Sequence, residues 1–452
     1  MLYRKNEILL KNWLKSEKKA ILLTGARQTG KTFLIRRILE SNSQNFVEIN
    51  FLKSPELLGL LESARNKDFS AFFTRLQFAT RKELTKGKAV IFLDEVQEYK
   101  EILTAIKFLV EEGSFRYVLS GSLLGVELTD LRSAPVGYLP VIEMFPMDFE
   151  EFLIAQKIPA DALARLRENF TAKAPVDEFV HNKILDAFYT YLIVGGMPAA
   201  VQEFVDSNDL NAVTRIHKDI LKQYNWDFSK YEKERKLHLI NTYDLIPSEL
   251  NSKNKRYMFA DLGAKQKFGR YENSFNWLID AGVAIPSFNT TDPVVPLKIY
   301  KQNYLFKLFL SDVGLLTTSY GRASQMQLLQ GGHDMNCGAI FENAVAQELC
   351  AHGYDGYYFN SKKLGELDFI IEYEGKCLPI EVKSGKDYTK HSALNNVLQI
   401  EKYNIPQAFV FANANVSVRG KITYLPIYMI MFLNEAATPL PTMPRLDLSG
   451  LH

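Results

Sequence analysis

Through the first 150 residues, short unbroken apolar runs alternate with stretches whose apolar residues recur every three or four positions. Runs of the first kind mark strands buried on both faces; spacing of the second kind marks helices with one buried side. The predicted strands are Ala20–Thr24, Phe46–Phe51, Ala89–Leu93, Tyr117–Ser122 and Val141–Met144. Helical spacing precedes them in 1–20 and separates them in Phe33–Leu39, most of 56–86 and 100–112, where Ile102, Ala105, Ile106 and Leu109 share a face. Strand and helix in alternation predict an α/β fold, with a parallel sheet covered by helices.

The pattern changes after Met144. Phe145-Pro146-Met147-Asp148-Phe149-Glu150-Glu151-Phe152 opens a helix, with Asp148 at its N-cap and Glu151 placed three residues on for a capping box. Residues 152–235 read as helical and charged, broken at Gly195-Gly196-Met197-Pro198. Helix-like stretches at 236–246 and 271–282 then lead to Val283–Pro286 and Lys298–Lys301, taken as paired strands, an order that suggests a winged helix. Further on, Glu366–Tyr373 and Lys376–Lys383 alternate as strands around the two-residue turn Glu374-Gly375.

The first strand runs into Gly25-Ala26-Arg27-Gln28-Thr29-Gly30-Lys31-Thr32, and a helix follows at once. This string fits G-x-x-x-x-G-K-[ST], the phosphate-binding loop of nucleotide hydrolases. Gly25 and Gly30 let the backbone curl so that N–H groups face phosphate oxygens. Lys31 reaches the β- and γ-phosphates, and the Thr32 hydroxyl is a ligand for Mg²⁺. The helix N-terminus behind the loop favours an anion. ATP and Mg²⁺ are therefore the expected cofactors, with residues 25–32 and Asp94 as the binding set.

Asp94 and Glu95 end the strand that starts at Ala89, at the sheet edge where ligands of open α/β folds bind. Asp94 is the expected second holder of Mg²⁺, and Glu95 the group that polarises the attacking water. Ser120, at the end of the next strand, is a candidate γ-phosphate sensor, with Ser122 behind it. The expected catalytic set is Lys31, Glu95 and Ser120.

In the late hairpin, the Glu374-Gly375 turn makes opposed residues sum to 749, so Asp368 faces Glu381 and Glu366 faces Lys383. Leu367, Phe369, Ile371, Tyr373, Leu378, Ile380 and Val382 then form a core face. Opposed carboxylates repel, a cost that a divalent cation removes. With a lysine beside them, they have the makings of a metal-dependent phosphodiesterase. A solvated face carrying a Glu366–Lys383 ion pair is the simpler alternative.

Composition narrows the partners. The 452 residues have room for two to four domains, and 47% hydrophobic with 23% charged residues is an ordinary globular balance. A net charge of +2 leaves no global field for nucleic acid, so any DNA contact must be a local patch. Lys253, Lys255, Arg256, Lys265, Lys267 and Arg270 supply one in the winged-helix-like region. No apolar run approaches the ~18 residues that a membrane span needs. Residues 1–15 lack the apolar core of a secretory signal, so a cytoplasmic location is expected. Cys337, Cys350 and Cys377 have no metal-ligand spacing.

Taken together, these motifs resemble the bacterial and archaeal AAA-type P-loop ATPases that carry a C-terminal restriction-endonuclease-like domain. The resemblance rests on Gly25–Thr32, Phe92–Gln97, Leu119–Ser122, Phe145–Phe152, Gly195–Pro198, Gly338–Asn343 and the late hairpin. It implies an ATPase domain over 1–150, a helical lid over 151–235, a winged-helix-like module over 236–325 and a PD-(D/E)xK nuclease-like domain over 326–452. In that last domain Glu342, Asp368, Glu381 and Lys383 match the signature, with a second Mg²⁺ or Mn²⁺ implied. Relatives would place an arginine after a glycine where Gly137-Tyr138 stands, which leaves Arg132 and Arg116 as replacements. The expected function is ATP binding and Mg²⁺-dependent hydrolysis that controls the C-terminal domain, with oligomerisation compatible. The alternatives are an ATP-regulated DNA nuclease, and a switch that binds DNA or a partner protein and cuts nothing.

Overall fold

Alternate side chains of the first strands leave on opposite sides, and this decides how the N-terminal half is layered. A computed structural model describes residues 2–16, 19–42, 45–53, 68–99, 101–122, 137–228, 233–252, 256–257, 268–331 and 337–434. Its first sheet holds β1 (Ile21–Thr24), β2 (Phe46–Asn50), β3 (Val90–Asp94), β4 (Arg116–Ser120) and β5 (Val141–Glu143), in the order β2-β3-β4-β1-β5. All four pairings are parallel. Ile21, Leu23, Val90, Phe92 and Val118 pack beneath α1 (Asn6–Ser16) and α2 (Lys31–Asn42). Leu22, Ile91, Leu93, Tyr117 and Leu119 pack on the other side with α3 (Phe69–Thr80) and α4 (Glu101–Glu112). Burial on both faces is why these strands read as unbroken apolar runs.

The middle of the chain is helical: α5 (Phe149–Ala155), α6 (Ala160–Ala172), α7 (Glu178–Val194), α8 (Pro198–Ser207), α9 (Leu210–Phe228), α10 (Lys233–Asn251) and α11 (Phe268–Asp280). The capping box at Asp148 and Glu151 forms as expected. Pro198 opens α8 at a position where its missing N–H costs nothing.

The hairpin expected after α11 forms in a different register and company. Its strands are β6 (Ala284–Thr290) and β7 (Lys301–Leu310), whereas Leu297–Tyr300 is a 3₁₀ turn. Having paired with β7, β6 turns its other edge to β8 (Tyr357–Ser361). The hairpin thus extends an eight-stranded mixed sheet with β9 (Gly365–Tyr373), β10 (Lys376–Val382), β11 (Ala408–Ala412), β12 (Ser417–Arg419) and β13 (Ile422–Pro426). An available strand edge is satisfied by backbone pairing, so the hairpin is no free wing. Of the basic patch, Lys253, Lys255, Lys265 and Lys267 lie outside the described residues.

Helices α12 (Val313–Tyr320), α13 (Arg322–Leu329) and α14 (Gly338–Ala351) follow β7, and α15 (Ser392–Leu398) lies beyond β10. The β9–β10 pairing runs from Lys376↔Tyr373 to Ile380↔Phe369, with every pair summing to 749 as the turn predicts. The expected single core face is broken, however. Phe369, Ile371, Leu378, Ile380 and Val382 join the main core, but Leu367 joins the cluster on the other side with Ile370 and Cys377. The cause is a bulge: Tyr357 pairs with Ile370 and Phe359 with Leu367, so Tyr358 faces both Asp368 and Phe369. The extra residue shifts the alternation, which the period-two reading did not allow for.

Candidate functional site

At the carboxyl edge of the first sheet, three strand-end polar residues stand in register, Asn50 beside Asp94 and Asp94 beside Ser120. Asp94 Oδ2 accepts from Asn50 Nδ2 at 2.8 Å, and Oδ1 accepts from Thr32 Oγ1 at 3.0 Å and from the Ser120 hydroxyl. The carboxylate is buried and held from three sides. Asn50 was missed in the sequence, although its place at a strand end was the available signal.

The loop before α2 takes the shape its glycines permit. Gly25 lies at φ +125°, and a Cβ there would stand 2.2 Å from the Met144 carbonyl oxygen; Gly30 lies at φ +92°. The Lys31 ammonium donates to the carbonyls of Gly25 and Ala26 at 2.9 and 2.7 Å. Burial lowers its pKa to about 8, against the pull of Glu95 and Asp94. Glu95 sits at φ 57°, ψ 45°, a left-handed conformation that costs on the order of 1–2 kcal/mol for a residue with a Cβ. Gln97 Nε2 donates to its carboxylate. Backbone strain of this kind concentrates where function holds a side chain in place.

Arg27, Gln28, Gly30, Lys31, Thr32, Asp94, Glu95, Ser120 and Ser122 line a single open cavity of about 310 Å³. Phe33, Gly121 and Arg36 complete it, Arg36 with its guanidinium on Glu48 at 2.6 Å. Next to it, sharing Gly30 and Phe33, lies an apolar hollow of about 220 Å³ walled by Leu2, Met144 and Pro198. Leu2 and Pro198 are far from the loop in sequence, and nothing in their local spacing ties them to it, so this hollow could not be foreseen.

The helical layer grips the loop. Arg27 pairs with Asp227 of α9 at 2.9 Å, Tyr224 donates to the Arg27 carbonyl at 3.4 Å, and Gln28 bonds Gln223. From the other side, Arg4 donates to the Thr29 carbonyl at 2.8 Å, to Phe145 O at 2.6 Å and to Glu151 at 3.2 Å. Glu151 shares the capping box with Asp148, which meets Lys5 at 2.7 Å and His352, the C-cap of α14, at 3.4 Å. Glu348, one turn back on α14, accepts from the Phe149 N–H at 2.7 Å. Burial pushes the Glu348 carboxyl up, while Lys5 and His352 hold Asp148 well below the carboxylate range against its own burial.

Of the two expected replacement arginines, Arg116 stands away from the cavity. Arg116 is at the amino end of β4, opposite Ser120, with its guanidinium on the Leu14 carbonyl. Five strand residues put those ends about 13 Å apart. Arg132 lies outside the described residues.

The C-terminal residues do gather, though not as the hairpin alone suggested. Lys383 pairs with Glu381 at 2.8 Å, and Asp368 accepts from the Val382 N–H at 2.9 Å. Glu366 does not pair with Lys383: it meets Lys307 of β7 at 2.8 Å and also takes a bond from Asn360. Lys307 is wholly buried and lies 3.8 Å from Glu342. Burial opposes its charge, yet Glu342, Glu366 and Asp368 push its pKa up. Burial and Asp368 push the Glu381 carboxyl up. Among the described residues no group of three or more His, Cys, Asp or Glu is placed to hold a metal ion. The carboxylates have lysine and backbone partners instead, a donor set that does not fit the second cation.

A phosphate-binding loop runs from β1 into a helix, and a carboxylate pair stands at the end of β3, with β4 between the two strands, an arrangement that P-loop ATPases share. Residues 17–153 match the family model of an AAA domain. Residues 185–325 match a domain of unknown function, DUF8612, and 337–430 another, DUF4143. Among curated proteins, no sequence relative is detected. Of solved structures, a Walker-type ATPase of Pyrococcus abyssi is similar at 15% identity over 71% of this chain and 96% of that one, with a TM-score of 0.42. Cdc6p from Pyrobaculum aerophilum is similar at 16% over 72% and 92%, TM-score 0.26. RuvB of Thermotoga maritima is similar at 16% over 66% and 91%, TM-score 0.29. No helix among the described residues is long and apolar enough to cross a membrane.

Proposed function

We propose that the chain binds ATP with Mg²⁺ at the cavity around Lys31, hydrolyses it, and passes the nucleotide state to its C-terminal part. The carrying observation is the convergence of Lys31, Thr32, Asp94, Glu95 and Ser120 on one cavity at the carboxyl edge of a parallel sheet. The triphosphate lies along residues 25–32, and the purine ring fills the apolar hollow between Leu2, Phe33, Met144 and Pro198. Lys31 leaves the Gly25 and Ala26 carbonyls for the phosphates, exchanging weak acceptors for charged ones. Thr32 and Asp94 would hold Mg²⁺ through oxygen, and the ion would supply positive charge against the phosphates. Glu95, fixed by its backbone and by Gln97, orients the attacking water, and Ser120 keeps Asp94 in place.

The transmitting parts are the grips on the loop. Any shift of residues 27–29 is felt by Asp227 and Tyr224 on α9, and by Arg4, which leads through Glu151 and Asp148 to α14. This supports the reading of a nucleotide-dependent switch. The test is ATP binding and turnover by wild type and Lys31→Ala. Loss of both in the variant, in a protein that still melts cooperatively, is the expected result; unchanged affinity and turnover would overturn the reading.

A further inference from the structure

The C-terminal cluster holds four carboxylates, Glu342, Glu366, Asp368 and Glu381, brought from α14, β9 and β10. Glu342 and Glu381 are buried. Glu366 and Asp368 are half-buried beside them, and carboxylates gathered with so little water need cations. The structure supplies them from its own chain. Lys307 enters from β7, wholly buried, at 2.8 Å from Glu366 and 3.8 Å from Glu342. Lys383 takes Glu381 at 2.8 Å, and Asp368 is engaged by the Val382 N–H at 2.9 Å.

We propose that Lys307 is a resident cation that takes the place of a divalent metal in this cluster, so that the C-terminal site assembles metal-free. A lysine ammonium is a compact point charge with three donors, suited to bridging carboxylates from different elements. Because β7 belongs to the hairpin after α11, Lys307 also fastens that hairpin to α14 and β9. A divalent ion between Glu342 and Glu366 would meet the ammonium head-on. The inference does not depend on the nucleotide reading.

The test is direct metal uptake by the full-length, nucleotide-free protein in a Thr32→Ala/Asp94→Asn background, which removes the metal donors of the first site. Mn²⁺ uptake is followed by loss of the free-ion paramagnetic resonance signal, and melting is followed with Mn²⁺ or EDTA. With Lys307 present, no stoichiometric Mn²⁺ uptake and no metal-dependent shift in melting are expected. Lys307→Met is expected to melt lower in EDTA, to take up one equivalent and to regain stability with Mn²⁺; adding Asp368→Asn removes that gain. Stoichiometric uptake by the Lys307 protein that Asp368→Asn abolishes would overturn the proposal, as would a Lys307→Met protein that melts normally in EDTA and takes up none. If Lys307→Met does not fold, the Lys307 protein with and without Asp368→Asn decides alone: no uptake upholds the proposal, and Asp368-dependent uptake refutes it.

Discussion

Arg27 of the phosphate loop and Asp227 of α9 form an ion pair of 2.9 Å, so the loop's own arginine is turned toward the helical layer. Arg27 also lines the nucleotide cavity, which gives it two alternative partners. A double-mutant cycle with Arg27→Ala and Asp227→Ala should give a coupling of about 1–3 kcal/mol to stability without nucleotide. Saturating ATP should shrink it, because Arg27 then has phosphate to pair with. Coupling that is the same in both states would rule out the exchange.

Glu95 is the one carboxylate of the cavity held in a left-handed conformation. If it orients water, Glu95→Gln keeps the shape and loses the base. Turnover should fall by roughly 10²-fold or more while ATP affinity stays within a few-fold. Single-turnover kinetics beside equilibrium binding separates the two; equal losses in both would assign Glu95 to binding.

Gly25 and Gly137 both have positive φ, but they differ in surroundings. A Cβ at Gly25 meets the Met144 oxygen at 2.2 Å, whereas none of the described residues lies within 4 Å of one at Gly137. Gly137→Ala should therefore cost only the left-handed penalty, about 1 kcal/mol. Gly25→Ala should cost several times more and abolish ATP binding, because loop and β5 must separate. Denaturant titration of both variants checks this, and comparable costs would contradict it.

Asp312 caps α12 and accepts from the Gly196 N–H at 2.6 Å and the Leu315 N–H at 3.0 Å. Burial raises its pKa to about 6, although those N–H groups pull the other way. A carboxyl raised in the fold binds more protons folded than unfolded, so its contribution is present below about pH 4 and lost as pH climbs through 6. Asp312→Asn, which keeps an acceptor for the Leu315 N–H and lowers stability at every pH by losing the Gly196 bond, should remove that slope, worth on the order of 2–3 kcal/mol. Stability curves at pH 4 to 7 are the measurement, and parallel curves for both proteins would dismiss the idea.

What could be read from sequence followed from locality. The phosphate loop, the carboxylate after β3 and the β9–β10 register depend on neighbouring residues and a turn, so spacing was enough. The bulge at Asp368 and Phe369 depends on β8, a separate strand, and moved Leu367 to the opposite cluster. Lys307 stands 59 positions before Glu366 and reads as one more charge on a strand. Arg4 was likewise invisible, because its partners come from distant segments. The hairpin after α11 has the right order of elements for a wing, but strand order does not say which edge a hairpin will join.

Helix α14 carries Glu342 in the carboxylate cluster and, about 9 Å further along its axis, Glu348 against the first turn of α5. Removing everything from α14 onward would leave the Phe149 N–H without its acceptor and expose the main core. The two sheets are therefore expected to unfold cooperatively, as one calorimetric transition, and the C-terminal part is an integral piece of the fold that cannot be clipped off as cargo.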